Sequence, residues 1–258
     1  MAVALIKGLI EANVYSPQQI FISDILPDRL DHLIHTFGLQ RAQDNGALAA
    51  TVDVIVLSVK PQVLESVLGE IKTNIGPKSL IISIAAGKRI EVITRSLGDV
   101  AVVRVMPNTP ALVSEGASAL YANPKAKPML TEALRIFSAV GKAVVLESEE
   151  LLDAVTAVSG SGPAYFFLLM EEMIKAAQQL GLPADLAKSL VLQTAKGSAA
   201  LALEADKSGD APETLRRRVT SPGGTTQAAI ETFEKMGLNA AINAGIKRAC
   251  ERSKELSA

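Results

Sequence analysis

The feature that most constrains this chain is a run of short, almost wholly apolar segments, each followed by a helical pattern. Val52-Asp53-Val54-Ile55-Val56-Leu57-Ser58-Val59 is the clearest of them. A near-continuous apolar run is the mark of a strand covered on both faces. Ile20–Ser23, Leu39–Ala42, Ser79–Ile84, Ala101–Val105, Ala117–Tyr121 and Ala143–Leu146 read as further strands. Helical patterns fall at 1–14, 27–37, 62–75, 91–97 and 126–140. Strand and helix in alternation imply parallel βαβ units and a doubly wound sheet. After about Glu147 no strand pattern follows. The remainder reads as helices: 151–158, 164–180, 183–205, 212–218, 226–236 and 239–256. The expected organisation is a first domain over 1–147 and an all-helical second domain over 148–258.

Composition narrows the function. The chain has 258 residues, 48% of them hydrophobic and 21% charged, so a sizeable core is expected. A net charge of −1 argues against non-specific nucleic-acid binding, and only 3% aromatics argue against base-stacking platforms. The single cysteine, Cys250, fits a reducing cytoplasm, and its place on an apolar stripe suggests packing. No Cys/His spacing suggests zinc; His32 and His35 read as a solvated helix face. Lys7 interrupts the apolar start, no leader pattern is evident, and no apolar run reaches the length of a membrane span.

The helix expected over 164–180 is nearly apolar all round in its first three turns, so it should be buried on all sides. A domain this small cannot supply that cover. A second copy of the chain, joined through an obligate apolar interface, is therefore expected.

The stretch Thr220-Ser221-Pro222-Gly223-Gly224-Thr225-Thr226 carries the chemistry. Pro222 fixes one φ, and the two glycines tolerate φ > 0. Thr225 and Thr226 open the following helix, where unpaired N–H groups and the dipole favour an anion. With the hydroxyls of Ser221, Thr225 and Thr226, the loop is a candidate carboxylate cradle. An ordinary capped helix start is the competing reading.

The run from Pro212 to Glu234, with Val219-Thr-Ser-Pro-Gly-Gly-Thr-Thr at its centre, resembles the signature of pyrroline-5-carboxylate reductases. Met1-Ala-Val-Ala-Leu-Ile-Lys-Gly8, Val59-Lys60-Pro61, Met106-Pro-Asn-Thr-Pro110 and Ser159-Gly-Ser-Gly-Pro-Ala-Tyr165 agree with it, and the likeness runs from Met1 to about Leu256. The resemblance implies an α/β dinucleotide-binding (Rossmann-like) domain followed by an all-α dimerisation domain. It implies NADPH or NADH as cofactor, a cyclic imino acid as the small-molecule substrate, and a homodimer that can gather into a decamer of five dimers. Partners from the nucleic-acid and membrane classes are not expected.

By the same resemblance, Asp24, Asn45, Val59, Lys60 and Ala86 match cofactor-contacting positions. Ser221, Gly224, Thr225 and Thr226 match the substrate loop, and Glu149 matches an acidic position near the substrate. The Thr226 hydroxyl is the candidate partner of the substrate's ring nitrogen. Arg218, just before the loop, stands where a relative in that family has Asn. An acidic Asp24, with Arg29 five residues on, leans the cofactor choice toward NADH. No His or Lys near the loop stands out as an acid or base, which suits a substrate that accepts hydride readily.

A dinucleotide fold opens with a strand, then G-x-G-x-x-G, then a helix. This sequence begins inside that pattern, so the first strand and its phosphate-binding glycines are missing; an average strand and turn would be about ten residues. The neighbours of that strand would then be left with unpaired backbone groups. Either the start lies upstream and Met1 is an internal methionine, or the chain is this short and has lost tight cofactor binding. An inactive dimeric binding protein is the alternative in the second case. A related hydroxy-acid dehydrogenase is the alternative among enzymes.

Overall fold

The computed structural model describes residues 1–257 and divides into two units. The first comprises Met1–Pro163 and Arg248–Ala258; the second is Ala164–Lys247.

In the first unit the strands are β1 (Phe21–Ile22), β2 (Gln40–Arg41), β3 (Val54–Leu57), β4 (Leu80–Ser83), β5 (Ala101–Met106), β6 (Gly116–Ala122) and β7 (Gly141–Val145). The helices are α1 (Ala2–Glu11), α2 (Pro27–Phe37), α3 (Asn45–Thr51), α4 (Leu64–Ile71), α5 (Ile90–Leu97), α6 (Leu130–Ser138) and α7 (Leu151–Val155). The strands form two sheets. One is the parallel pair β1–β2; the other has the order β3-β4-β5-β6-β7. β1, β2, β3 and β7 each have one neighbour, so each presents an open edge.

β3, β4 and β5 are parallel, in the register Val54↔Leu80 and Leu80↔Ala101. All four residues of β4 are buried, as a strand with helices on both faces requires. One face packs Leu5, Leu9 and Ala4 of α1 and Ile136 and Phe137 of α6 on Leu80, Ile82 and Val103. The other packs Leu64, Leu68 and Ile71 of α4 and Ile90 and Ile93 of α5 on Ile55, Ile81 and Val102. Ile6 points instead to Leu33 and Leu39 under β1–β2, so α1 serves two clusters.

Strict alternation of parallel units does not hold. β6 runs antiparallel to β5, with Arg104 opposite Tyr121. The connection between them is a short 3-10 turn, Thr109–Val113, which is too small for the crossover that a parallel neighbour demands. α3 was not expected from the sequence. Asp44 starts it by accepting the Ala47 N–H at 2.7 Å.

The second unit contains α9 (Ala184–Asp206), α10 (Pro212–Arg218), α11 (Thr225–Lys235) and most of α8 (Gly162–Gln179). α12 (Leu238–Ser257) begins there and ends in the first unit. Within one chain α8 is not buried on all sides. Phe166 is 64% exposed and Phe167 60%, and Leu168, Leu169, Leu190 and Leu192 are exposed with them. Open apolar hollows, lined by residues such as Met173, Leu190 and Val191, lie along the same two helices. Within one chain this apolar face has no cover.

Among the described residues no helix is long and apolar enough to cross a membrane. Nor, among the described residues, could any group of three or more His, Cys, Asp or Glu hold a metal ion.

Gly8 gives a test of the α1 packing. A Cβ there would lie 2.3 Å from Val140 Cγ1 and 2.9 Å from the Ala139 carbonyl oxygen. Gly8→Ala should therefore destabilise the protein by about 1–3 kcal/mol despite its better helix propensity, read as a lowered urea midpoint at unchanged slope.

Candidate active site

The site elements of the first unit are the carboxyl ends of its parallel strands, where open α/β sheets bind ligands. Three of these ends share one edge: Ser58-Val59-Lys60 after β3, Ile84-Ala85-Ala86-Gly87 after β4, and Met106-Pro107-Asn108 after β5. Lys60 and Ala86 are exposed there, while Val59 is half-buried against the α4–α5 cluster. Asn108 ties two segments together. Its Oδ1 accepts the Ala117 N–H at 2.9 Å, and its Nδ2 donates to the Ser159 carbonyl at 3.2 Å. Ser159 lies in a π-helical turn, Thr156–Gly160, and this turn is where the Ser-Gly-Ser-Gly stretch begins.

Asp24 follows β1. Its Oδ1 accepts the Leu26 N–H at 3.1 Å, and its Oδ2 is 3.4 Å from Arg29 Nη1. The sequence separation of this arginine understated its proximity, because Asp24 accepts the Leu26 N–H and so sits at the start of α2, whose first turn carries Arg29. The pair therefore offers a carboxylate and a guanidinium side by side, so the field at Asp24 is not simply repulsive to a phosphate. Asn45 opens α3, and its Nδ2 donates to Glu70 Oε2 at 2.7 Å.

Glu149 sits at the junction before α7. Its Oε1 accepts from Arg104 Nη1 at 3.0 Å and from the Ile90 N–H at 2.8 Å. The two side chains are 6% and 16% exposed, so this is a largely buried ion pair. It joins the middle of β5, the start of α5 and the start of α7. The Oε2 atom receives no hydrogen bond among the described residues. Arg104 was not singled out from the sequence, although a charge inside Ala-Val-Val-Arg-Val-Met is the signal for it.

In the second unit, Ser221–Gly224 forms a turn closed by the Gly224 N–H on the Ser221 carbonyl at 3.0 Å. Gly223 has φ +72°, which a side chain would strain, and a Cβ on Gly224 would lie 2.6 Å from Ser221 Oγ. Gly224 is the N-cap of α11, so the N–H groups of Thr225, Thr226 and Gln227 open outward without intrahelical acceptors. Among the described residues, the hydroxyls of Ser221, Thr225 and Thr226 make no hydrogen bond. Gln227 holds the turn: its Oε1 accepts the Gly223 N–H at 2.7 Å. Arg218, just before the loop, is spent on Asp210 through two bonds of 2.6 and 3.1 Å.

A half with open parallel-strand ends and a helical half with an uncovered apolar face are the features of a dinucleotide-dependent oxidoreductase that dimerises. Comparison with known proteins makes this specific. A family model described as pyrroline-5-carboxylate reductase dimerisation matches residues 149–256, and one described as NADP oxidoreductase, coenzyme F420-dependent, matches residues 1–87. The pyrroline-5-carboxylate reductase of Pseudomonas aeruginosa is 45% identical, with 100% of this chain and 93% of that protein aligned. The solved pyrroline-5-carboxylate reductase of Coxiella burnetii superposes with a TM-score of 0.92 at 39% identity, covering 100% of this chain and 95% of that one. A Plasmodium falciparum pyrroline carboxylate reductase, solved with NADP bound, gives 0.85 at 32% identity over 99% and 94%. The chain belongs to the pyrroline-5-carboxylate reductase family.

Removing one member of a buried ion pair leaves the other charge uncompensated, at a cost of about 3–5 kcal/mol. Glu149→Leu should therefore lower stability by that order, and Arg104→Met,Glu149→Leu should recover a large part of it, as measured by chemical denaturation of both variants.

Proposed function

We infer that this chain reduces 1-pyrroline-5-carboxylate to L-proline with NAD(P)H, the last step of proline biosynthesis. Beside the family membership, the observation that carries this reading is the glycine turn at the start of α11, with its outward N–H groups and unused hydroxyls. A small carboxylate is the ligand such a turn suits, since the N–H groups and helix dipole both favour negative charge. We assign Ser221, Gly224 and Thr225 to the substrate carboxylate. Thr226 is assigned to the ring nitrogen and Glu149, through its open Oε2, to the substrate's surroundings.

For the cofactor, the chain offers an exposed edge of strand ends, the small Ala86, the Lys60 cation, and the Asp24–Arg29 pair. This donor set fits a dinucleotide; Asp24, Asn45, Val59, Lys60 and Ala86 would hold it. The sequence contains no G-x-G-x-x-G, so none of these residues is a phosphate-cradling glycine turn. When bound, NAD(P)H supplies the hydride. The chain's part is to hold the imine carbon against it, since fixed orientation removes much of the entropic barrier. A protonated imine needs no strong general acid, so a threonine hydroxyl that steadies the ring nitrogen suffices. We further propose a division of labour between 1–147 and 148–258, a cytoplasmic location, and assembly of five dimers into a decamer.

The test is oxidation of NADH and NADPH in the presence of pyrroline-5-carboxylate. Turnover supports the reading, and its absence in a folded protein that binds the cofactor would sink it. Thr226→Ala should lower kcat about tenfold or more, the worth of one hydrogen bond to a charged group, with the KM for NAD(P)H unchanged. Arg29→Ala should raise the KM for NADPH several-fold while leaving that for NADH nearly constant, because only the former carries a 2′-phosphate to pair with the guanidinium.

A further inference from the structure

Beyond Ile84, whose N–H extends the ladder to the Leu57 carbonyl at 3.2 Å, the turn after β4 has weak anchors of its own. Its Lys88 N–H reaches the Ala85 carbonyl at 3.4 Å, and the Ala85 N–H reaches Ser83 Oγ at 3.4 Å. Such long bonds do not fix a loop. Yet Gly87, at φ +69°, is buried, and what buries it is the end of α12. A Cβ on Gly87 would meet the Leu256 carbonyl oxygen at 3.0 Å and Leu256 Cβ at 3.1 Å. Ala86, next to it, is exposed. The turn therefore has a helix end behind it and an open side in front.

The end of α12 is in turn hung on a buried carboxylate. Asp153, on α7, is 3% exposed and accepts from Ser253 Oγ at 2.7 Å. Ser257 Oγ lies 3.4 Å from the same oxygen and 2.9 Å from the Ser253 carbonyl. On the outer face Arg248 and Arg252 pair with Glu255, while Ser253 is buried and Ser257 half-buried on the inner face. α7 thus governs both sides of the turn. Glu149, just before it, holds the Ile90 N–H that follows the turn, and Asp153 within it holds the helix end that backs the turn.

We propose that the last two turns of α12, docked on Asp153, are the back wall that sets the β4 turn for cofactor binding, with Asp153 and Ser253 as positioning residues. This rests on the assignment of Ala86 to the cofactor. A wall held by side chains of its own chain fixes Ala86 before the cofactor arrives, and pre-ordering of this kind lowers the cost of binding.

The experiment uses the full chain. Ser253→Glu places a second carboxylate against Asp153 and should undock the helix end without touching the sheet core. Amide exchange at residues 84–88, measured without ligand, should accelerate at least tenfold. The Kd for NADPH, followed by its fluorescence, should rise fivefold or more, while the KM for pyrroline-5-carboxylate stays within twofold. Asp153→Ala should behave the same way, and Asp153→Asn, which keeps an acceptor for Ser253, should restore most of the affinity. Faster exchange with an unchanged Kd overturns the role in cofactor binding, and unchanged exchange in both undocking variants overturns the wall itself. If the parent chain binds neither NADPH nor NADH, it is the cofactor assignment that fails, and the proposal falls with it.

Discussion

The Arg104–Glu149 ion pair is the interaction on which the first unit's functional edge depends. A charged residue in the middle of β5 is costly unless its partner is close and well hydrogen-bonded. Glu149 meets that need from a loop, and the same oxygen takes the first N–H of α5. One carboxylate therefore fixes a strand, the start of a helix and the start of the helical connection. The turn after β4 leads into one of these anchors, Ile90, and the π-helical turn follows α7, which starts two residues after Glu149. The edge is held from behind by buried polar contacts, which leaves its front free for a ligand.

Much of this architecture was legible in the sequence, and for a clear reason. Strands buried on both faces must be apolar along their whole length, and β3, β4 and β5 announce themselves that way. Helices that pack one face on a sheet show their period, as α2 and α5 do. α3 did not, because Asn45-Gly46 reads as a turn and seven residues are too few to show a period. The reversed direction of β6 was hidden for a related reason. A strand's pattern carries no direction; only the length of the connection does, and Thr109–Val113 is too short for a crossover.

The site was legible in part. Gly223 and Gly224 point to the turn because their lack of side chains is a requirement there. The residues that hold the machinery in place were harder to see. Gln227, Asp153 and Asn108 are ordinary polar residues in sequence, and their roles depend on what lies far along the chain. Arg29 shows the limit most plainly. Five residues in sequence said little, and the bend from Asp24 into the first turn of α2 brought its guanidinium beside the carboxylate.

The uncovered apolar surface of α8 and α9 has a consequence for how this protein can be handled. A fold whose helical half is finished by a second chain has no fixed stability of its own. Its midpoint of unfolding moves with protomer concentration, because the law of mass action enters the equilibrium. Dilution thus acts as a mild denaturant on this molecule, and thermal midpoints from two laboratories agree only when their protein concentrations do.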